Sequence, residues 1–370
     1  MPHLSRRTVL LAAPALAFPL RARGTPFEVL ADAPQQLQTP LSALEGLVTP
    51  TERFFVRSHF GPPRWNPSRT LAVSGLVSRP DSYSLAALKK LPKTTVRAVL
   101  QCAGNGRALF QPPIPGVQWQ HGAMGQADWT GVQLSVLLAR AQLGAGAAHV
   151  HLLGADRAPR PQTPPFIRSI PLDKALHPDT LVAWEMNGAP LTLEHGAPLR
   201  LVVPGWAGDH WLKWLVGIEV AAEEHPGFFV QKAYRFPRSP VAPGTKVPPE
   251  QMEPVTVMPV KSVITSPLDG ATLASGALEV RGVAFSGTSG IRTVEISVDG
   301  GNTWTATDLE GEPGMGRWQL FRKKVDVTPG TWTVLARATD ESGARQPETA
   351  EWNPSGYYWN AWHRVTWRVT

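Results

Sequence analysis

The segment Leu100-Gln101-Cys102-Ala103-Gly104-Asn105-Gly106-Arg107 carries the only cysteine of a 370-residue chain. A run of buried-strand character enters a loop of small residues headed by a thiol, a place where a bulky group can approach the backbone. A thiolate is a soft metal ligand, and Arg107 nearby would lower its pKa. The plainer fate of a lone cysteine is a small buried hydrophobe, and the segment alone leaves both open. A second chemical segment is Phe55-Val56-Arg57-Ser58-His59. A third runs from His195-Gly196-Ala197-Pro198-Leu199-Arg200 through Val202-Val203-Pro204-Gly205 to Lys213-Trp214. A histidine and an arginine flanking a turn, with a lysine beyond, suit a phosphate, because guanidinium matches it bidentately and lysine adds a point charge. Taken singly, each is as compatible with a solvated charge.

Several chemistries are disfavoured. One cysteine excludes an intramolecular disulfide, a Cys-x-x-Cys redox pair, a haem attachment motif and a cluster held by one chain. No P-loop or Gly-x-Gly-x-x-Gly appears, so a nucleotide held in either way is not expected. There is no Gly-x-Ser-x-Gly elbow and no His-Glu-x-x-His. His149-Val150-His151 puts two imidazoles on one face of a strand, but no third ligand stands at a telling spacing, which favours a structural role over zinc. The net charge of +7 is scattered, without a basic run or interleaved aromatics, and reads as a modest field for an anionic small molecule or an acidic partner rather than for nucleic acid.

These residues need a frame. From Thr39 to Gln231 short apolar runs mix with a few helical patterns: strands at Leu71–Val77, Thr94–Leu100, Ala148–Leu153 and Leu199–Val203, a Ser84-capped helix reaching Leu91 before Pro92, and helical spacing over Leu134–Ala141. Without regular βαβ alternation, this predicts an α+β domain. Prolines 237, 240, 243, 248, 249, 254 and 259 mark an extended connector. Period-two alternation follows, with Val294, Ile296 and Val298 on one face, a turn at Asp299-Gly300-Gly301 and a closing run at His363–Thr370, which predicts an immunoglobulin-like β-sandwich. The expected boundaries are a leader at 1–24, a catalytic domain at 25–236, a connector at 237–260 and a sandwich at 261–370. The leader reading rests on Arg6-Arg7 before a short apolar run ending in Ala15-Leu16-Ala17, the pattern of a twin-arginine export signal. The expectation is therefore a periplasmic or otherwise exported protein with no membrane span in its mature form.

Together the segments resemble the sulfite oxidase family of molybdenum-cofactor (molybdopterin) oxidoreductases. The carriers are 55–59, Gln101–Asn105, Asp128-Trp129-Thr130-Gly131-Val132, Glu185-Met186-Asn187-Gly188, His195–Arg200, 202–205, Lys213-Trp214-Leu215, Ser297–Trp304 and Asn360–Val365. The resemblance implies a molybdopterin-binding domain followed by a dimerisation sandwich. It makes Cys102 the metal's thiolate ligand and Arg57, Arg107 and Trp119 the anion pocket. Phe55, Val56, Arg57, Ser58, His59, Asp156, His195, Arg200 and Trp211-Leu212-Lys213 fall where the family holds the pterin and its phosphate. Sulfite would be oxidised to sulfate, and with no haem in this chain the electrons would leave to an external acceptor such as a c-type cytochrome. Some positions depart from the pattern. Phe166 stands where a tyrosine is expected, Ser355 where vertebrate enzymes have an arginine, and Ser58 and Gly106 replace common Asn and Arg. Arg168 offers a replacement charge. The departures motivate two alternatives: a molybdenum-dependent reductase of a sulfoxide or other oxyanion, and a non-catalytic periplasmic binding protein on the same fold.

Overall fold

The computed structural model describes residues 27–370 apart from Trp65 and Pro67; the expected leader lies outside the described residues. The chain is mostly sheet, with four short α-helices among the described residues. β1 (Glu28–Asp32) and β2 (Gln35–Gln38) form a hairpin, and β2 pairs with β3 (Val56–Arg57), setting Gln36 opposite Arg57. β4 (Leu71–Gly75) and β5 (Asp81–Tyr83) lead to α1 (Leu85–Leu88), where the Ser84 hydroxyl accepts from Ala87 N–H at 3.2 Å. The cap is as expected, but the helix proper ends at Leu88, short of Leu91.

β6 (Thr94–Gln101) and β7 (Met124–Gln133) pair in register along the whole of β6. α2 (Leu134–Ala141) has the helical spacing its sequence predicts: Leu134, Leu137, Leu138 and Ala141 are all fully buried, one stripe of a 3.6-residue period. β8 (His149–Gly154), β9 (Ile167–Pro171), α3 (Leu172–Leu176), β10 (Leu181–Met186), β11 (Ala189–Pro190), β12 (Arg200–Val202), β13 (Leu215–Ala221) and α4 (Phe228–Gln231) complete the first domain. One sheet runs β11-β10-β7-β6 with β12 also on β10, and the other runs β5-β4-β13-β8-β9. Their inner faces share one core, with Trp129, Val132, Leu152 and Ile218 at its centre.

The proline-rich stretch is ordered: β14 (Arg235–Pro237) pairs with β15 (Met252–Pro254). Then come β16 (Lys261–Ser266), β17 (Thr272–Leu273), β18 (Gly276–Phe285), β19 (Ile291–Ser297), β20 (Thr305–Ala306), β21 (Asp308–Glu310), β22 (Trp318–Val327), β23 (Gly330–Asp340) and β24 (His363–Val369). They form two facing sheets, β16-β18-β22-β21 and β17-β24-β23-β19-β20. Val280 and Phe321 from one face Val334, Val365 and Trp367 from the other. Val294 and Ile296 point inward as expected. Val298 does not: β19 ends at Ser297, and Val298 sits 39% exposed at the start of the turn.

A further core cluster spans the junction. Val99, Ala103, Met124 and Ala207 pack with Val255, Met258, Val283, Phe285 and Trp318. Polar contacts follow the same seam. Val99 N–H donates to Gly316 C=O at 2.7 Å, and Trp318 N–H donates to Gln126 Oε1 at 2.7 Å. No described helix is long and apolar enough to cross a membrane.

Candidate active site

β6 delivers Cys102 at its end. The turn after it closes through Asn105 N–H on Cys102 C=O at 2.9 Å. The Asn105 side chain pins the loop by donating to Gln101 Oε1 at 3.1 Å and accepting from Ala123 N–H at 3.0 Å. The thiol opens onto a cavity of about 730 Å³ including its mouth. Burial pushes its pKa up, against the opposing pull of Arg57 and Arg107. Arg107 does act to lower it, as its nearness predicts, but desolvation disfavours the thiolate more than the two cations favour it.

β3 and the residues that flank it bring Phe55, Arg57, Ser58 and His59 to the cavity wall. β2 braces them: Gln36 Nε2, itself buried, donates to Ser58 C=O at 3.0 Å. Arg57 Nη1 also donates to Ser58 C=O, and Nη2 lies 3.4 Å from His59 Nδ1. Burial, reinforced by Arg57 and Arg168, brings His59 down to about 3, so its imidazole is neutral. His59 Nε2 lies 2.6 Å from the hydroxyl of Tyr234, another wall residue. Tyr234 is a cavity residue that no sequence signal singles out. The family resemblance places a hydroxyl at position 166, where Phe166 supplies an aromatic wall instead, its ring 4.8 Å from His59.

The cavity is also lined by His195, Arg200, Trp211, Leu212 and Lys213, and by Asp156. Arg200 is only 2% exposed; it donates to His195 C=O and Trp211 C=O, both at 3.1 Å, and lies 4.7 Å above the Trp129 ring. Lys213 Nζ donates to Glu194 C=O at 2.7 Å. Gly196 (φ +106°) lets the three basic groups converge: a Cβ there would stand 3.1 Å from the Cβ atoms of both Arg200 and Lys213. Among the described residues, no carboxylate forms an ion pair with Arg57, Arg107, Arg200 or Lys213. The electrostatic consequence is plain. Burial lowers Arg200 to about 9; burial and then Arg200 bring Lys213 to about 7; burial, Lys213 and Arg200 bring His195 to about 3. Asp156, raised by burial to about 6, offsets little.

Three expected site residues do not line this cavity. Val56 turns into the core. Trp119 is fully buried behind Phe55, ring centroids 6.4 Å apart. Arg107 lies alongside the loop it begins. It donates to Val117 C=O at 3.3 Å and Ser355 C=O at 3.2 Å, and its guanidinium rests on the Tyr357 ring at 5.3 Å. Gly104, Gly116 and Gly356 form its slot, since a Cβ at any of them would come within 2.7–2.8 Å of the arginine. Arg168 does not supply a cavity charge either, because its guanidinium pairs with Asp209 at 2.7 Å. His151 Nε2 lies 2.9 Å from Glu223 C=O and His149 Nδ1 lies 3.5 Å from Ser169 Oγ, contacts that tie the pair to neighbouring structure.

A cavity lined by a thiol together with Arg57, Arg200 and Lys213, none of them in an ion pair among the described residues, fits a large anionic group bearing a soft metal and a phosphate. The family model for the oxidoreductase molybdopterin binding domain matches residues 59–229, and that for the Mo-co oxidoreductase dimerisation domain matches 252–370. A sulfite oxidase of Arabidopsis thaliana is 36% identical, over 92% of this chain and 94% of its own length. Mitochondrial sulfite oxidase of Mus musculus is also 36% identical, over 90% of this chain but 63% of its own length. The crystal structure of the sulfane dehydrogenase SoxCD from Paracoccus pantotrophus matches with a TM-score of 0.81 at 28% identity, over 97% of this chain and 92% of that one. The protein is thus a molybdenum-dependent oxidoreductase whose cofactor is molybdopterin. Within that class, the chain belongs to the sulfite oxidase family.

Proposed function

We propose that this enzyme oxidises sulfite to sulfate, with Cys102 holding the metal and His195, Arg200 and Lys213 holding the cofactor's phosphate. The observation that carries the reading is that the Cys102 thiol, the Arg57 guanidinium and the Tyr234 hydroxyl line one cavity. When bound, the cofactor supplies two-electron oxidation coupled to oxygen-atom transfer. Arg57 has no carboxylate partner, so its charge is available to an oxyanion and to the charge that develops during reaction. Tyr234 keeps its proton, since burial raises its pKa further, and its hydroxyl can donate to a substrate oxygen. Arg107 and Arg57 both favour the Cys102 thiolate, the form a metal requires.

Electrons would leave one at a time to a separate protein, a c-type cytochrome being our choice, and two copies would associate through the sandwich. Arg6-Arg7 and the apolar run after them support export to the periplasm by the twin-arginine route. The test is steady-state turnover of metal-replete protein with sulfite and ferricyanide, set against sulfoxide with reduced viologen. A sulfite-dependent rate that Cys102→Ser abolishes is expected. A rate only in the second assay would replace this reading with a reductase.

A further inference from the structure

Arg168 leaves β9 in the direction of Tyr234. Its Nη2 reaches Asp209 Oδ2 at 2.7 Å and lies 3.1 Å from His210 Nε2, and its Nη1 donates to Phe229 C=O. The two charged side chains are 2% and 1% exposed. The guanidinium carbon stands 5.1 Å from the centre of the Tyr234 ring, which also stacks on Tyr357 at 5.7 Å with 8° between planes. Tyr234 itself sits at φ +54°, a conformation a non-glycine residue holds only when its surroundings fix it. A buried ion pair is seldom explained by stability, because well-packed apolar residues of the same volume often do as well. Asp209 shares the cavity wall with Tyr234, and Arg168 reaches both from β9.

We propose that Arg168, held by Asp209, is a positioning residue that fixes the Tyr234 ring and keeps the Tyr234–His59 hydrogen bond aimed at the oxyanion side of the cavity. The inference rests on the sulfite reading for its kinetic arm only. Arg168 acts in two ways. Its planar cation lies against the aromatic ring, an attraction that strengthens out of water. Its charge also disfavours protonation of His59, together with Arg57 from β3. Those two cations and the Tyr234 hydroxyl are the polar groups around that imidazole; Phe60, Phe166 and Phe229 fill the rest. Asp209 reaches His59 only through Tyr234, whose proton its charge helps to retain.

The test compares wild type, the apolar pair Arg168→Met/Asp209→Leu, and Arg168→Lys, all as metal-replete enzyme. The apolar pair is expected to keep its molybdenum and melt near wild type, while kcat/KM for sulfite falls about tenfold or more. The His59 imidazole, followed by NMR, should titrate at higher pH than in wild type, and activity should fade on the acid side where wild type still works. Arg168→Lys retains the charge but not the flat stacking surface. It should restore the wild-type acid limb while kcat stays low. Wild-type kinetics and an unmoved His59 titration in the apolar pair would overturn the proposal. So would activity lost only in proportion to lost molybdenum, or a lysine variant with the same acid limb as the apolar pair. If wild type shows no sulfite turnover, the substrate reading fails, and the His59 titration still decides the positioning role.

Discussion

The phenolic oxygen of Tyr234 lies 2.6 Å from Nε2 of His59, a residue 175 positions earlier in the chain. With the imidazole neutral and Arg57 Nη2 facing Nδ1, Nδ1 is the acceptor and Nε2–H donates to the tyrosine. The hydroxyl proton is then free to point into the cavity.

Removing that hydroxyl should weaken transition-state binding without disturbing the cofactor. Tyr234→Phe is expected to lower kcat/KM for sulfite by about tenfold to a hundredfold, the range of a lost hydrogen bond to a charged group. Molybdenum content should be unchanged; a variant with wild-type kcat/KM would remove Tyr234 from the substrate site.

Cys102→Ser should keep the fold, since the loop is pinned by Asn105 rather than by the thiol. Turnover should vanish. Burial raises the Cys102 pKa, so metal binding must expel its proton and should grow weaker as pH falls. Metal analysis of wild type after dialysis at graded pH reads this directly; retention that rises with acidity would contradict it.

Lys213 is near pH 7 in the cofactor-free cavity, lowered by burial and then by Arg200. A phosphate beside it would raise that value, so binding takes up a proton above about pH 7. Cofactor retention should therefore fall from neutral pH into the alkaline range. Lys213→Met should retain less cofactor at neutral pH and lose this alkaline dependence, which titration of released pterin by fluorescence would show.

Acid should destabilise the cofactor-free protein steeply. His59, His195 and His363 are each held at about 3, mainly by burial, against about 6.5 in an unfolded chain. Between those values the unfolded state binds more protons. Stability is thus fully present above about pH 6.5 and lost as pH falls, by up to about 1.4 kcal/mol per pH unit for each histidine. Melting temperatures at about pH 7.5 and about pH 5 test the sign; Asp156 and Asp209, raised by burial to about 6 and about 7, oppose the histidines over this range, and a higher melting temperature at about pH 5 would show that the histidines do not prevail.

Gln126 is fully buried at the junction. Its Oε1 accepts from Trp318 N–H at 2.7 Å, and its Nε2 donates to Leu47 C=O at 2.8 Å. Gln126→Ala leaves those groups unpaired and should cost about 1–3 kcal/mol. Calorimetry should show unfolding of the variant at lower temperature than wild type; an unshifted melt would contradict it.

Much of this was legible in the sequence because local signals agreed with the global fold. The α2 stripe, the Ser84 cap, the apolar run of β6, the alternation of β19 and the small-residue loop after Cys102 all act within a few residues. What escaped notice depends on contacts across the chain. Tyr234 comes just before the proline-rich stretch, and only the folded sheet brings it to His59. Arg168 read as a spare cation because its partner, Asp209, is 41 positions away. At position 355 the sequence shows a missing arginine side chain, whereas the contact made is by the backbone carbonyl, which no residue type announces.

That last contact spans 248 residues. Arg107 is made early, yet Ser355 and Tyr357, which hold it, are made some 248 residues or more later. A nascent chain can close its first core well before then, but the arginine flanking the thiol gains its seat only when the sandwich has folded behind it.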